Sequence, residues 1–121
     1  MATIYHITTL AEWEQARAIG LYAPDSLKQE GFIHGSTAAQ VERVANSFYL
    51  GRAGLVLLAV DTDRLSAPLK WEAPTDPVPP GTAPDARFPH VYGPINVDAV
   101  ARVVDFPAGE GGRFTLPAGI A

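Results

Sequence analysis

Cysteine is absent from this chain of 121 residues, which excludes disulfide bonds, thiolate nucleophiles and metal sites built on cysteine. Lysine is almost absent, since Lys28 and Lys70 stand alone among scattered arginines, and the formal net charge is −4. An extended nucleic-acid surface is therefore not expected, because phosphate contacts need clustered lysine and arginine. The longest apolar run, at 54–60, is too short to span a membrane, and the first residues lack the basic and long apolar regions that a secretion signal would have. We expect a cytoplasmic protein without a membrane partner.

Histidine is also scarce, but all three histidines lie in short aromatic and apolar runs. Imidazole gains or loses a proton near neutral pH, so histidines placed together on strands indicate a shared polar site. Two of them are followed two residues later by a hydroxyl, at Thr8 and Ser36, and residues so spaced share one face of a strand. The three motifs are Tyr5-His6-Ile7-Thr8, Phe32-Ile33-His34-Gly35-Ser36-Thr37 and Phe88-Pro89-His90-Val91-Tyr92.

Hydrophobic periodicity predicts an α+β fold. Two main helices are expected in the N-terminal half: one over Leu10–Gly20 after a Thr9 cap, and one that begins after Ser36 or Thr37. About five or six strands complete the fold as a mixed or antiparallel sheet. The continuous apolar run Leu55–Val60 predicts a central strand that is covered on both faces.

The apolar content of 47% predicts one folded domain over residues 1–121, with its core in residues 3–106. Five prolines make residues 73–87 a loop, and a loop of this length serves as a lid or binding loop or is disordered. The glycine-rich tail, residues 107–121, is expected to form a peripheral extension.

The residues of the histidine motifs and their neighbours are compatible with several kinds of chemistry. Glu72 follows Trp71 at a strand end, where a carboxylate beside an indole acts as an acid or base in a cleft, or is simply exposed on an edge strand. Tyr5 and Tyr92 suit stacking on a flat ring, or packing in the core. The histidines are separated by 28 and 56 residues, which matches no local zinc-ligand pattern, so no metal is expected.

Taken together, the three histidine motifs closely resemble those of a family of small bacterial proteins known as domain of unknown function 952. The resemblance covers residues 3 to about 105, and Trp13, Ser26-Leu27 and Trp71-Glu72 also fit the family's pattern. That family is similar to a remote branch of the ADP-ribosyltransferase-like fold. The resemblance therefore implies this fold, with NAD as the substrate.

The resemblance also implies roles for individual residues. In that superfamily a first-strand histidine holds a ribose of NAD, which matches His6, although Ile7 replaces the usual glycine after it. The second motif is similar to a His-Val-His-Leu-Ser segment of RNA 2'-phosphotransferases, although a typical transferase has a tyrosine near His34. A late-strand glutamate normally steadies the oxocarbenium ion formed as nicotinamide leaves; the third motif lacks one, and Glu72 is the nearby candidate. The expected catalytic residues are His34, His90 and Glu72, and the expected NAD-binding residues are Tyr5, His6, Thr8, Ser36, Thr37 and Tyr92.

Three functions follow from these observations, and experiments distinguish them. The first is binding of NAD or a related nucleotide, with transfer or hydrolysis of its ADP-ribose. The second is a non-catalytic domain that binds a nucleotide or small metabolite, from which release of nicotinamide would be absent. The third is a metal-dependent hydrolase with three histidine ligands, which metal content and chelation would reveal.

Overall fold

The structure, a computed structural model, describes residues 2–75 and 77–120, and it confirms the α+β class. Within that part of the chain, three α-helices cover Leu10–Ile19 (α1), Asp25–Glu30 (α2) and Ala38–Phe48 (α3). Strands cover Thr3–Thr9 (β1), Leu21–Tyr22 (β2), Ile33–His34 (β3), Leu55–Asp61 (β4), Leu69–Glu72 (β5), Phe88–Val91 (β6), Ile95–Asn96 (β7) and Val100–Asp105 (β8). None of the helices described is both long and apolar enough to traverse a membrane.

The described strands form three small antiparallel sheets, whereas the sequence predicted one sheet of about five or six strands. The strand orders are β1-β4-β8, β2-β7 and β3-β6-β5. Strands β2, β3 and β7 are only two residues long and are bounded by Gly20, Gly35 and Pro94. Glycine weakens a strand and proline cannot donate to its ladder, which favours short strands at these positions. An isolated bridge between Tyr5 and Ser36 connects the first sheet to the third.

Strand β4 is the central strand of the first sheet, as its continuous apolar sequence predicted. Alternate side chains on a strand point to opposite faces, and both faces of β4 are buried. Val56, Leu58 and Val60 belong to a core cluster that includes Trp13 of α1. Leu55, Leu57 and Ala59 belong to a second cluster that includes Val41 and Ala45 of α3.

The two main helices begin where the capping residues predicted. The Thr9 hydroxyl accepts a hydrogen bond from the Glu12 amide at 3.1 Å, and Gly20 ends α1 in the left-handed conformation. Thr37 is the N-cap of α3, and its amide donates to the Gln40 side chain at 2.9 Å. Phe48, the last residue of α3, is 43% exposed.

Residues 73–75 and 77–87 contain no helix or strand, as their prolines predicted. The tail that follows β8, in contrast, is not the peripheral extension that its glycines suggested. Phe114 and Ile120 are buried, and the rings of Phe106 and Phe114 lie 4.8 Å apart between centroids. Asn46 of α3 fixes this segment through hydrogen bonds with both the amide and the carbonyl of Phe114. The tail therefore completes the second core cluster.

This packing predicts that Phe114→Ala lowers the free energy of unfolding by about 3 to 5 kcal/mol, because a buried phenylalanine leaves a cavity when truncated. Chemical denaturation would measure the change. Ile19→Ala is the control, because Ile19 is 75% exposed and its truncation should change stability by less than about 0.5 kcal/mol. Equal small losses in both variants would contradict a tail that is part of the core.

Candidate functional site

The three histidine motifs meet because the second motif runs between the other two. Ser36 forms two backbone hydrogen bonds with Tyr5 of β1, both at 2.8 Å, and the Gly35 amide donates to the Pro89 carbonyl at 2.9 Å. A Cβ atom on Gly35 would lie 3.0 Å from that carbonyl oxygen and 3.1 Å from the proline ring. Glycine therefore favours this close approach of β3 to β6, since any larger residue would require its neighbours to shift by a few tenths of an ångström.

The motifs border a cavity of about 370 Å³, referred to below as the main cavity. Of the residues expected at the site, Tyr5, His6, His34, Ser36 and His90 line it, whereas Thr8, Thr37, Glu72 and Tyr92 do not. The proline-rich loop contributes Pro74, Thr75, Pro77 and Pro79 to its wall. The loop thus forms part of the wall of the main cavity.

His6 has both ring nitrogens engaged within the protein. A carbonyl oxygen only accepts, so Nδ1–H donates to the His34 carbonyl at 2.6 Å, and Nε2 accepts from the Tyr22 hydroxyl at 2.7 Å. Burial lowers the pKa of His6 from 6.5 to about 4, so the ring is neutral at pH 7. In this structure His6 therefore connects β1 to β2 and β3, and it has no free nitrogen for a ribose.

His90 also lines the main cavity, and it is held by Glu72. Its Nδ1 lies 2.8 Å from Oε1 of Glu72, and the Tyr92 hydroxyl donates to the same oxygen at 2.5 Å. The hydrogen bond from Tyr92, followed by that from His90, lowers the pKa of Glu72. The same bond raises the pKa of Tyr92. At neutral pH this cluster therefore contains a carboxylate, a neutral phenol and a nearly buried imidazole.

His34 and His90 are directly paired across β3 and β6, and their ring centroids lie 5.7 Å apart. Nε2 of His34 lies 2.9 Å from Oε2 of Glu30, with both side chains partly exposed. The Phe32 ring stacks on His90 with a centroid separation of 4.2 Å. Each of the two imidazoles that face the main cavity thus has a carboxylate partner of its own.

The hydroxyl residues of the expected site are divided between different environments. Ser36 is only 4% exposed and its hydroxyl has no hydrogen bond among the residues described, so it faces the main cavity. The Thr8 hydroxyl donates to Glu12 at 3.1 Å. Thr37 is the N-cap residue of α3. His34 and Ser36 therefore line the same cavity, as expected. Thr8 does not join His6 at the main cavity, because its hydroxyl bonds Glu12 instead.

A second cavity of about 640 Å³ adjoins the first, and the two share His6, Ile7, Ser26 and Tyr49. It lies against α1 and contains only His6 and Thr8 of the expected residues. Its charged lining residues are Glu12, Asp25 and Arg52. Although it is larger, it lacks the His34 and His90 pair, so the main cavity is the candidate site.

A metal centre formed by the three histidines finds no support in this geometry. Across residues 2–75 and 77–120, no group of three or more histidine, aspartate or glutamate side chains is arranged to hold a metal ion. His6 also has no free nitrogen for a ligand bond. The metal-dependent hydrolase therefore loses the ligand set on which it rested.

Sequence reasoning did not assign site roles to Tyr22, Glu30 or Phe32. Tyr22 lies 16 residues from its partner His6, and no local pattern reveals such a contact. Glu30 precedes His34 by four residues, a spacing that indicates a contact within a helix, but here α2 ends at Glu30 and His34 belongs to β3. Phe32 belongs to the second motif, and its aromatic character was the signal that could have indicated a role at the site.

Comparison with known proteins gives a family but no activity. Residues 7–103 match a family described as a protein of unknown function, DUF952. The chain is 38% identical to protein CC0527 from Caulobacter crescentus, whose crystal structure superposes with a TM-score of 0.79 over 95% of both chains. The solution structure of that protein gives a TM-score of 0.74, covering 93% of this chain and 91% of CC0527. No functionally curated protein matches the chain.

The buried neutral His6 predicts that stability falls in mild acid. Its pKa is about 4 in the folded chain against 6.5 ordinarily, so between these values the unfolded state binds more protons and stability rises with pH. The contribution is complete above pH 6.5 and is lost as the pH falls toward 4. The stability lost by pH 5 amounts to about 2 kcal/mol. Urea denaturation at pH 7.5 and pH 5 would measure it.

The control for this prediction is a comparison of two histidine replacements. His6→Gln should reduce the stability difference between the two pH values, because residue 6 no longer titrates. His34→Gln should largely preserve it, because burial, the largest cause of the His6 shift, and the backbone carbonyl of residue 34 both remain. If His6→Gln retained the full pH dependence, His6 would not be its source.

Proposed function

We propose that this chain, which belongs to the DUF952 family of proteins of unknown function, binds NAD or a related nucleotide in the main cavity and transfers or hydrolyses its ADP-ribose. One observation carries the proposal: three motifs from separate parts of the sequence converge on one cavity. The volume of about 370 Å³ lies within the range of roughly 300 to 1,000 Å³ that is typical of small-molecule sites.

The chemistry of the lining supports a ligand with both a flat ring and hydroxyl groups. Tyr5 and Phe88 supply aromatic surface, and Ser36, His34 and His90 supply hydrogen-bonding groups within the same cavity. A nucleoside combines an aromatic base with ribose hydroxyls, which matches these two kinds of wall. In the proposed complex, Ser36 bonds a ribose hydroxyl and the aromatic wall contacts the base.

The resemblance to ADP-ribosyltransferase-like proteins supports NAD as the nucleotide. That fold uses an aromatic-histidine motif on its first strand, and Tyr5 and His6 occupy β1 here. His6 supports such a site by fixing β1 against β3, since its nitrogens bond Tyr22 and the His34 carbonyl. The remaining superfamily feature, a glutamate at the reacting carbon, is not supported for Glu72, because this side chain lies outside the lining.

A second candidate, a non-catalytic nucleotide-binding domain, is favoured by the position of that glutamate. Glu72 accepts hydrogen bonds from His90 and Tyr92. The carboxylate that does line the cavity, Glu30, is paired with His34. A protein that retained the cavity without a catalytic carboxylate would bind NAD and leave it intact. Detection of free nicotinamide distinguishes the two candidates.

Calorimetric titration with NAD, and with ADP-ribose in parallel, tests the binding proposal. We expect binding by the unaltered chain and a loss of at least tenfold in affinity for Val44→Phe, because Val44 lines the main cavity and a larger side chain fills it. Ala39→Phe adds the same ring to an exposed position on the same helix, and its affinity should be unchanged. Absence of heat with both nucleotides, or equal affinity in both variants, would count against the main cavity as a nucleotide site.

A further inference from the structure

The hydrogen bonds of His90 determine which of its ring nitrogens carries the proton. The Glu72 carboxylate only accepts hydrogen bonds, and its Oε1 atom lies 2.8 Å from Nδ1 of His90. The proton of the neutral ring is therefore on Nδ1, and Nε2 has a lone pair. Tyr92 donates to the same carboxylate oxygen at 2.5 Å and so fixes the carboxylate itself.

Nε2 of His90, the ring nitrogen with the lone pair, faces the main cavity. The residue is only 2% exposed, yet no fully buried side-chain nitrogen or oxygen among the residues described lacks a hydrogen-bond partner. Nε2 has no such partner, so it must be accessible, and the accessible space beside His90 is the cavity that the ring lines. Stacking on Phe32 holds the ring plane in place.

We infer that Glu72 and Tyr92 are positioning residues that hold His90 as the proton acceptor of the main cavity. The inference rests on the proposed function and specifies its chemistry as attack by an oxygen nucleophile, with water as the simplest case. Nε2 takes a proton from water while the water oxygen bonds the ribose carbon of NAD. The bond from that carbon to nicotinamide breaks, and its electron pair leaves with neutral nicotinamide. The products are ADP-ribose, nicotinamide and one proton, which His90 releases to solvent.

The charged groups near His90, other than Glu72, have partners of their own, so the proton-acceptor role falls to the Glu72 and His90 pair. His34 has its own carboxylate, Glu30. Lys70 is paired with His90 across β5 and β6, but its ammonium lies over the Tyr92 ring, 4.7 Å from the centroid. Glu72 lies outside the cavity lining, so its removal should alter the proton transfer and leave nucleotide binding in place.

Nitrogen NMR of the histidine rings tests the positioning without any ligand. We expect neutral His90 to carry its proton on Nδ1 in the unaltered chain, and to become a mixture of tautomers in Glu72→Leu. Glu30→Leu is the matched control, because it removes the equivalent carboxylate from His34 and should leave the His90 signals unchanged. A neutral His90 that carries its proton on Nε2, or that is unaffected by Glu72→Leu, would overturn the positioning role.

Nicotinamide release from NAD tests the proton acceptor. We expect His90→Gln to lower kcat by a factor of about 100 or more, and Glu72→Leu to lower kcat at least tenfold with KM within about twofold. A chain that binds NAD but releases no nicotinamide, or a His90→Gln variant as active as the original, would overturn the role of His90 while the binding proposal stands. A chain that does not bind NAD would instead overturn the proposed function, and the tautomer measurement would still decide the positioning.

Discussion

The site depends on one backbone arrangement, the passage of Gly35 and Ser36 between β6 and β1. Its hydrogen bonds, from Gly35 to Pro89 and between Ser36 and Tyr5, each contribute only about 1 kcal/mol. Their larger effect is on register. They place His34 directly opposite His90, and a shift of one residue would turn His34 to the other face of the sheet. Glycine favours the arrangement because a Cβ atom would lie 3.0 Å from the Pro89 carbonyl oxygen, closer than most such contacts.

The same arrangement divides the histidines between two tasks. Because the chain passes so close to β1, the His34 carbonyl accepts a hydrogen bond from Nδ1 of His6 and fixes the orientation of that ring, while burial keeps the ring neutral. His34 and His90 lie on the cavity side and are each paired with a carboxylate. A buried neutral imidazole makes poor use of a protonation equilibrium near pH 7, whereas an imidazole with one fixed and one free nitrogen is suited to transfer protons.

Local sequence patterns predicted the parts of this fold that local forces determine. The caps at Thr9 and Thr37, the buried strand β4 and the proline-rich loop all follow from periodicity or from backbone chemistry within a few residues. The tail escaped prediction because its glycines suggest a loose chain, while the burial of Phe114 depends on Asn46, 68 residues away. The direction of each histidine side chain was unpredictable for the same reason. The motifs could be recognised as one site, but their division into structural and cavity-facing residues requires the tertiary contacts.

The charges around the cavity bear on which part of the proposed nucleotide would enter it. Among the residues described, its lining contains no lysine or arginine, and its carboxylate is Glu30. A diphosphate inside would face that carboxylate without a fixed cation, and burying unpaired charge is costly. The ribose of a nucleotide is neutral, and the nicotinamide ring of NAD is a cation that a carboxylate in the lining favours, so neither carries such a cost. Arg52 lines the adjoining cavity, which meets the main one at His6 and Ser26. A dinucleotide bound as proposed would therefore place one nucleoside between Ser36 and His90 and direct its phosphates toward Arg52, across the wall that His6 holds in place.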